Sequence, residues 1–417
     1  MALYARTHAL DVADFDLISH LPKNPLAFIR GGDGLVGFGE ALRLSASGKN
    51  RISDLAQQWR DIASLANVEN PLSIAGTGLV AFGSFAFADQ SAAESVLIVP
   101  KILLGKRDGR VWLTEIKDGK ADSAGMSNNT DDFWSSVQSY RASSVELADG
   151  EFSAEQFKSG VAIAISSISR AELNKVVIAR DQIGHADQDF DIRSVLEKLA
   201  SRYDGCWIYN VDGTFGASPE LLVRVSHGQV SARVLAGTAG RGTDPGVDRA
   251  IAAALAASTK NLEEHKYAVD SLVDSLAPFC AHIDADSTPF SLSLPNVWHL
   301  ASDVHGVLKA DSNALDLAAA LHPTAAVAGT PTDLAQKLIA QIETFDRQRY
   351  AGPVGWIGAD GDGEWAIALR GGQVRATGES GFEIRVFAGC GIVADSEPEA
   401  ELAETELKLA PVRGALR

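Results

Sequence analysis

The chain has 417 residues, 46% of them hydrophobic and 22% charged, the balance of a globular protein able to bury a large core. Its formal net charge is −17, from 54 acidic against 37 basic side chains, which argues against a nucleic-acid backbone or an anionic membrane surface as partner. A small anionic ligand is repelled in bulk as well, so it would have to be received by local cations or a metal.

Met1 to Asp16 carries Asp11, Asp14 and Asp16 and no apolar run, which is not the pattern of a signal peptide. Gly78–Ala86 and Ser95–Leu104 read as strands, and Asp54–Leu65 as a helix with Leu55, Trp59 and Ile62 on one face. Asp118–Asp132, rich in Gly, Ser, Asn and Asp, reads as a loop. Ser153 and Gln156 make a capping-box pair ahead of Phe157, Val161, Ile165 and Ile168, which recur at helical spacing. A short strand follows at Lys175–Ala179, then a helix at Asp191–Tyr203. Strands are predicted at Cys206–Asn210, Thr214–Val225 and Gln229–Ala236, and a long helix at Asn261–Phe279. Further strands are read at Val297–Leu308, Val354–Ile357, Glu364–Leu369 and Glu383–Phe387, and a closing helix at Pro398–Leu409. Strands follow one another without helices between them, which favours mixed α+β sheets over βαβ alternation. No run of about 18 apolar residues predicts a membrane span. Cys206, Cys280 and Cys390 are far apart and odd in number, so they suggest neither a disulfide framework nor a zinc cluster and fit a reducing cytoplasm.

Three features carry candidate chemistry. Lys175 opens an otherwise apolar strand; burial there would lower its pKa and make it a base, whereas at an open strand end it would only snorkel. Glu220, in Gly216-Ala217-Ser218-Pro219-Glu220-Leu221-Leu222, would have a raised pKa and donate a proton if its surroundings are apolar, and is an ordinary turn glutamate if they are not. Glu263 and Glu264 open one helix, and Glu397, Glu401, Glu404 and Lys408 share a face of the last. Carboxylates from two helices could hold a hard cation such as Mg²⁺; a solvated charged face gives the same pattern. Gly237–Gly242 lacks the ending of a P-loop. Asp360–Glu364 is too short for a calcium loop and reads as a hairpin turn. His299 and His305 lack metal-ligand spacing.

Together these segments resemble the chorismate-utilising enzymes: isochorismate, salicylate, anthranilate and aminodeoxychorismate synthases. The resemblance runs from about Ser153 to the C-terminus, with motifs in family order: Leu173–Arg180, Phe215–Leu222, Leu235–Thr238, Glu264-His265, His299–Gly306, Tyr350–Trp356, Gly389–Ala394 and Glu401–Thr405. It implies an α+β fold, one large body with two stacked antiparallel-rich sheets flanked by helices, as in anthranilate synthase component I. Residues 1–145 would add scaffold strands and helices to that body, and 146–417 would form the catalytic region. A monomer is compatible with the family.

Within the family, Lys175 stands at the base position of hydroxylating members. Ala236 stands where aminodeoxychorismate synthases carry a nucleophilic lysine. His322–Gly329, with Ala326 in place of a threonine and Thr330-Pro331 after Gly329, looks like the isochorismate version of its loop. The resemblance therefore implies an isochorismate synthase, serving menaquinone or siderophore biosynthesis. Lys175 would be the base and Glu220 the acid. Gly237, Thr238, His299, Ala326, Tyr350, Arg370 and Gly389 would contact chorismate, and Glu264, Glu401 and Glu404 would hold Mg²⁺. The alternatives are a salicylate synthase, or a non-catalytic chorismate sensor on the same fold.

Overall fold

A computed structural model of the chain describes residues 2–119, 144–293, 297–378 and 381–417, apart from the side chains of Lys260 and Glu264. The predicted loop at Asp118–Asp132 lies outside the described residues from position 120 onward. Among the described residues the strands form one 13-stranded and one 10-stranded sheet, and every strand pairing is antiparallel except that of Leu3–Leu10 with Asn67–Glu69. The larger sheet runs from Leu147–Asp149 through Lys175–Ala186, Phe382–Ile392, Gly371–Ala376, Thr214–Ser218 and Trp207–Val211 to strands of the first 119 residues. The smaller one places Val297–Leu308, Gln229–Gly240, Leu221–Ser226, Gly363–Ile367 and Pro353–Gly358 beside Val80–Ser84.

The sheets face each other across an apolar layer. Phe28, Trp112, Trp207 and Tyr209 of the larger sheet meet Phe82, Val354 and Trp356 of the smaller one, all buried. On its other face the larger sheet packs Leu196 and Leu199 of the helix Ile192–Arg202 and Leu409, Val412 and Leu416 of the closing helix. Helices at Arg51–Leu65, Ala154–Ser169, Ala314–Leu321 and Thr332–Ile342 contribute to the remaining core. This is the α+β architecture expected from the sequence. The Ser153–Gln156 capping box forms as read, and Asp191 caps its helix through Arg193 N–H.

Several boundaries need correction. Ser95–Leu104 is two strands, Ser95–Val99 in the smaller sheet and Ile102–Arg107 in the larger, divided at Pro100. Thr214–Val225 divides likewise, into Thr214–Ser218 and Leu221–Ser226 on different sheets. The strand read as Lys175–Ala179 continues to Ala186, because its polar middle is paired: Arg180 with Asp149 and Glu406, Asp181 with Arg385. A helix at Pro245–Ala257 was not predicted, although Asp244 caps it and Pro245 occupies its first turn, both readable signals. The closing helix runs past Pro411 to Leu416. The burial of Pro411, Val412, Ala415 and Leu416 outweighs the hydrogen bond that proline removes.

Candidate active site

Two crossings between the sheets explain where the chemistry sits. At Ser218-Pro219-Glu220 the chain leaves the larger sheet for the smaller; at Ala368-Leu369-Arg370 it crosses back. The crossings are bonded to each other: Ile367 N–H donates to Glu220 O at 3.1 Å, and Ala217 N–H to Arg370 O at 3.3 Å. Ser218 Oγ donates to Ile367 O at 2.6 Å. Glu220 and Arg370 are thus fixed between the sheets by backbone. Arg370 takes a left-handed conformation, φ 52°, and so do Gln348 and Ala351 on either side of Tyr350. Such residues each cost on the order of 1–3 kcal/mol and cluster at functional sites.

Burial pushes the Glu220 carboxyl up to about 7, against the pull of Arg370, then Lys175, then Lys408. Arg370 is held below its ordinary value by the same burial, offset by Tyr350, Glu220 and Glu404; a guanidinium stays charged nonetheless. Burial raises the Tyr350 hydroxyl to about 12, so it remains a donor. His299 is pushed down to about 4 by burial and then by Arg370 and Lys408, and is neutral at pH 7. Its Nδ1 lies 2.9 Å from Thr238 Oγ1, and it also bonds the Gly237 backbone. Gly237 sits at φ 84°, where the ladder between Gln229–Gly240 and Val297–Leu308 shifts register. The bulge frees Ala236 O, which His265 Nδ1 reaches at 3.1 Å, while His265 Nε2 lies 2.9 Å from Ser302 Oγ. That buried histidine therefore anchors the helix Thr259–Leu276 against the Gly237 turn.

Lys175 is half-buried at the start of its strand, paired with Thr330. Ala326 lies in the turn that leads to Gly329-Thr330, so Lys175 and that turn share an edge. Gly389 pairs with Ala179 one strand over, and its carbonyl accepts from Lys408 Nζ at 2.9 Å. Lys408 also pairs with Glu404 at 2.6 Å. Glu401 Oε1 accepts from Ser396 Oγ at 2.6 Å, whereas its Oε2 is buried with no partner among the described residues.

Of the residues read from the sequence, Lys175, Glu220, Gly237, Thr238, His299, Tyr350, Arg370, Gly389 and Glu404 are therefore linked by bonds or mutual electrostatics. Glu401 adjoins them through Cys390, whose thiol feels Glu401, Lys408 and Glu404. The side chain of Glu264 lies outside the described residues. Among the described residues no three His, Cys, Asp or Glu side chains surround a point that could hold a metal. The orphaned Glu401 oxygen, with Glu404 one turn on, is nonetheless the all-oxygen donor set that suits a hard cation completed by waters or a ligand carboxylate.

Residues 14–417 match the family described as "Chorismate binding enzyme". The chain belongs to that family. Isochorismate synthase MenF of Bacillus subtilis (strain 168) is 30% identical over 405 residues, 92% of this chain and 85% of that protein. The structure of the menaquinone-specific isochorismate synthase MenF from Escherichia coli has the same fold, with a TM-score of 0.81 at 24% identity over 100% of this chain and 95% of that one. So has anthranilate synthase component I from Streptococcus pneumoniae TIGR4, with a TM-score of 0.74 at 19% identity, covering 93% of this chain and 92% of that one.

In this chorismate-binding enzyme two residues of the cluster have a sequence context that assigns them no place in it. Lys408 is visible there as the i+4 partner of Glu404, a spacing equally typical of a solvated helix face. Gly391 is visible within the Gly389–Ala394 motif without a role. The aliphatic chain of Lys175 runs past Gly391: a Cβ there would lie 2.6 Å from Lys175 Cε and 3.4 Å from its Nζ. Gly391→Ala should fold as the parent does, since a flexible side chain is all that must move. Its kcat should fall by about 10- to 100-fold through displacement of the amine. Parental kcat in that variant, read in a chorismate-consumption assay, would show that Lys175 does not need the space.

Proposed function

We propose that this chorismate-binding enzyme is an isochorismate synthase. Water adds at C2 of chorismate, the ring double bonds shift, and the C4 hydroxyl leaves as water. The observation that carries the reading is Glu220: a carboxyl pushed up to about 7 by burial, within electrostatic reach of Lys175 and Arg370. Lys175 accepts the proton of the attacking water. Glu220 gives its proton to the departing hydroxyl. The two groups support each other, because a neutral Lys175 no longer pulls the Glu220 pKa down.

Arg370, fixed at the sheet crossing, presents a planar fork suited to the enolpyruvyl carboxylate, and Tyr350 donates beside it. The Gly237-Thr238 turn offers backbone to the ring carboxylate, with neutral His299 along the ring. The Ala326 turn and Gly389 line the same site. Glu264, Glu401 and Glu404 would hold Mg²⁺, which would supply positive charge for the ring carboxylate in an acidic protein.

The test is purified protein with chorismate and Mg²⁺, the products separated by chromatography. Isochorismate without salicylate is expected. Salicylate would mean that the same site also eliminates pyruvate, and no consumption of chorismate would leave only a binding protein. Excess EDTA should abolish turnover and added Mg²⁺ restore it; undiminished turnover in EDTA would remove the metal from the reading.

A further inference from the structure

Glu343 and Arg347 form an ion pair at 2.6 Å with both side chains 2% exposed. Taking two charges out of water costs several kcal/mol per ion, and a buried pair of this kind is often matched or bettered by apolar residues of similar volume. Stability alone therefore gives little reason for the pair. Its bonds point elsewhere. Arg347 Nη2 donates to Val177 O at 2.7 Å and Nη1 to Val327 O at 2.9 Å. Glu343 Oε1 accepts from Ala179 N–H at 2.8 Å. Arg347 Nε and Nη2 complete the fork to Glu343, and the guanidinium lies 4.4 Å from the Phe87 ring centroid. Val177 is two residues from Lys175, and Val327 adjoins Ala326. Ladder bonds join the same two segments: Val177 N–H donates to Ala328 O and Asn174 N–H to Thr330 O, both at 2.8 Å.

We propose that Glu343 and Arg347 are positioning residues for the reaction. They touch neither substrate nor reacting atoms. They clamp the strand residues just after Lys175 to the turn carrying Ala326, and so fix where the Lys175 amine stands relative to Glu220. This rests on the assignment of Lys175 as the base.

The clean test replaces the pair together, Glu343→Leu with Arg347→Met, which leaves no uncompensated charge. It strips Ala179 N–H, Val177 O and Val327 O of their side-chain partners, so its melting temperature should fall by several degrees, while in the folded variant kcat falls by at least about tenfold and KM moves less than about threefold, as expected when a catalytic group is misplaced by an ångström or less. The pH dependence of kcat should move too, which a purely structural role would not produce. A folded double variant with kcat within twofold of the parent overturns the proposal. If the double variant does not fold, Arg347→Lys decides. It keeps the charge beside Glu343 but cannot reach both carbonyls, so the same loss of kcat is expected and a kcat within twofold overturns the idea. Lys175→Ala is assayed alongside. Near-parental turnover there sinks the base assignment itself, whereas inactive Lys175→Ala beside unimpaired Arg347→Lys sinks only the positioning role.

Discussion

Lys175→Ala is expected to fold and to bind chorismate, and to lose about 10²- to 10⁴-fold in kcat, the usual worth of one acid–base group. Folding should survive because the strand is held by backbone. Lys175 pairs with Thr330, and Val176 to Ala186 pair with Phe382–Ile392, none of which needs the amine. Binding should survive because the proposed carboxylate partners, Arg370 and the Gly237 turn, are on other elements. A second signature accompanies the loss. While its amine carries a proton, Lys175 pulls the Glu220 pKa down, so in the free enzyme its removal should move the titration of Glu220 upward from about 7, as loss of that proton does in the parent. Calorimetry with chorismate separates binding from turnover. Turnover near the parent's would remove Lys175 from its role, however well its motif matches.

Glu220→Gln should lose turnover to a similar extent while gaining stability at alkaline pH. The sign follows from the raised pKa. In the unfolded chain the carboxyl titrates near 4.5; in the folded chain burial holds it to about 7. Below about pH 4.5 both states carry the proton and the group costs nothing. As pH rises toward 7 the unfolded chain releases its proton and the folded chain does not, so stability falls. Above pH 7 a penalty of about 3 kcal/mol remains, because a tenfold difference in proton affinity between the two states is worth about 1.4 kcal/mol. Glutamine never ionises. The variant should therefore melt several degrees above the parent at pH 8, and the difference should vanish near pH 4.5. In the parent, kcat/KM should decline above about pH 7, because the acid must be protonated to donate. A variant as active as the parent, or no more stable at pH 8, would mean that Glu220 is not held neutral in the cluster.

The motif residues are legible in the sequence because each local signal has a physical cause. Ser153 and Gln156 announce a helix start, and Gly237 fits a turn that demands positive φ. The sheet crossings are not legible. Val99-Pro100-Lys101 and Ser218-Pro219-Glu220 sit inside apolar runs, and a run that changes sheets keeps the period of one that does not. A proline marks each of these two crossings and none marks the one at Ala368-Leu369-Arg370, and a proline is equally at home at the edge or the first residue of an ordinary strand. Pro411 misleads in the other direction, since local propensity ends a helix that tertiary burial continues.

By itself the sequence determined the α+β class, the family, and which residue types stand ready for acid, base and cation. Those depend on composition, short-range periodicity and motif order. Whether Glu220 faces apolar surroundings, whether Lys408 points inward, and what Glu343 and Arg347 bond were decided only by the folded chain. Burial and electrostatic reach belong to pairs of residues distant in sequence. Glu220 owes its raised pKa to the enclosure made where two strands leave one sheet for the other, a juxtaposition that no local stretch of residues contains.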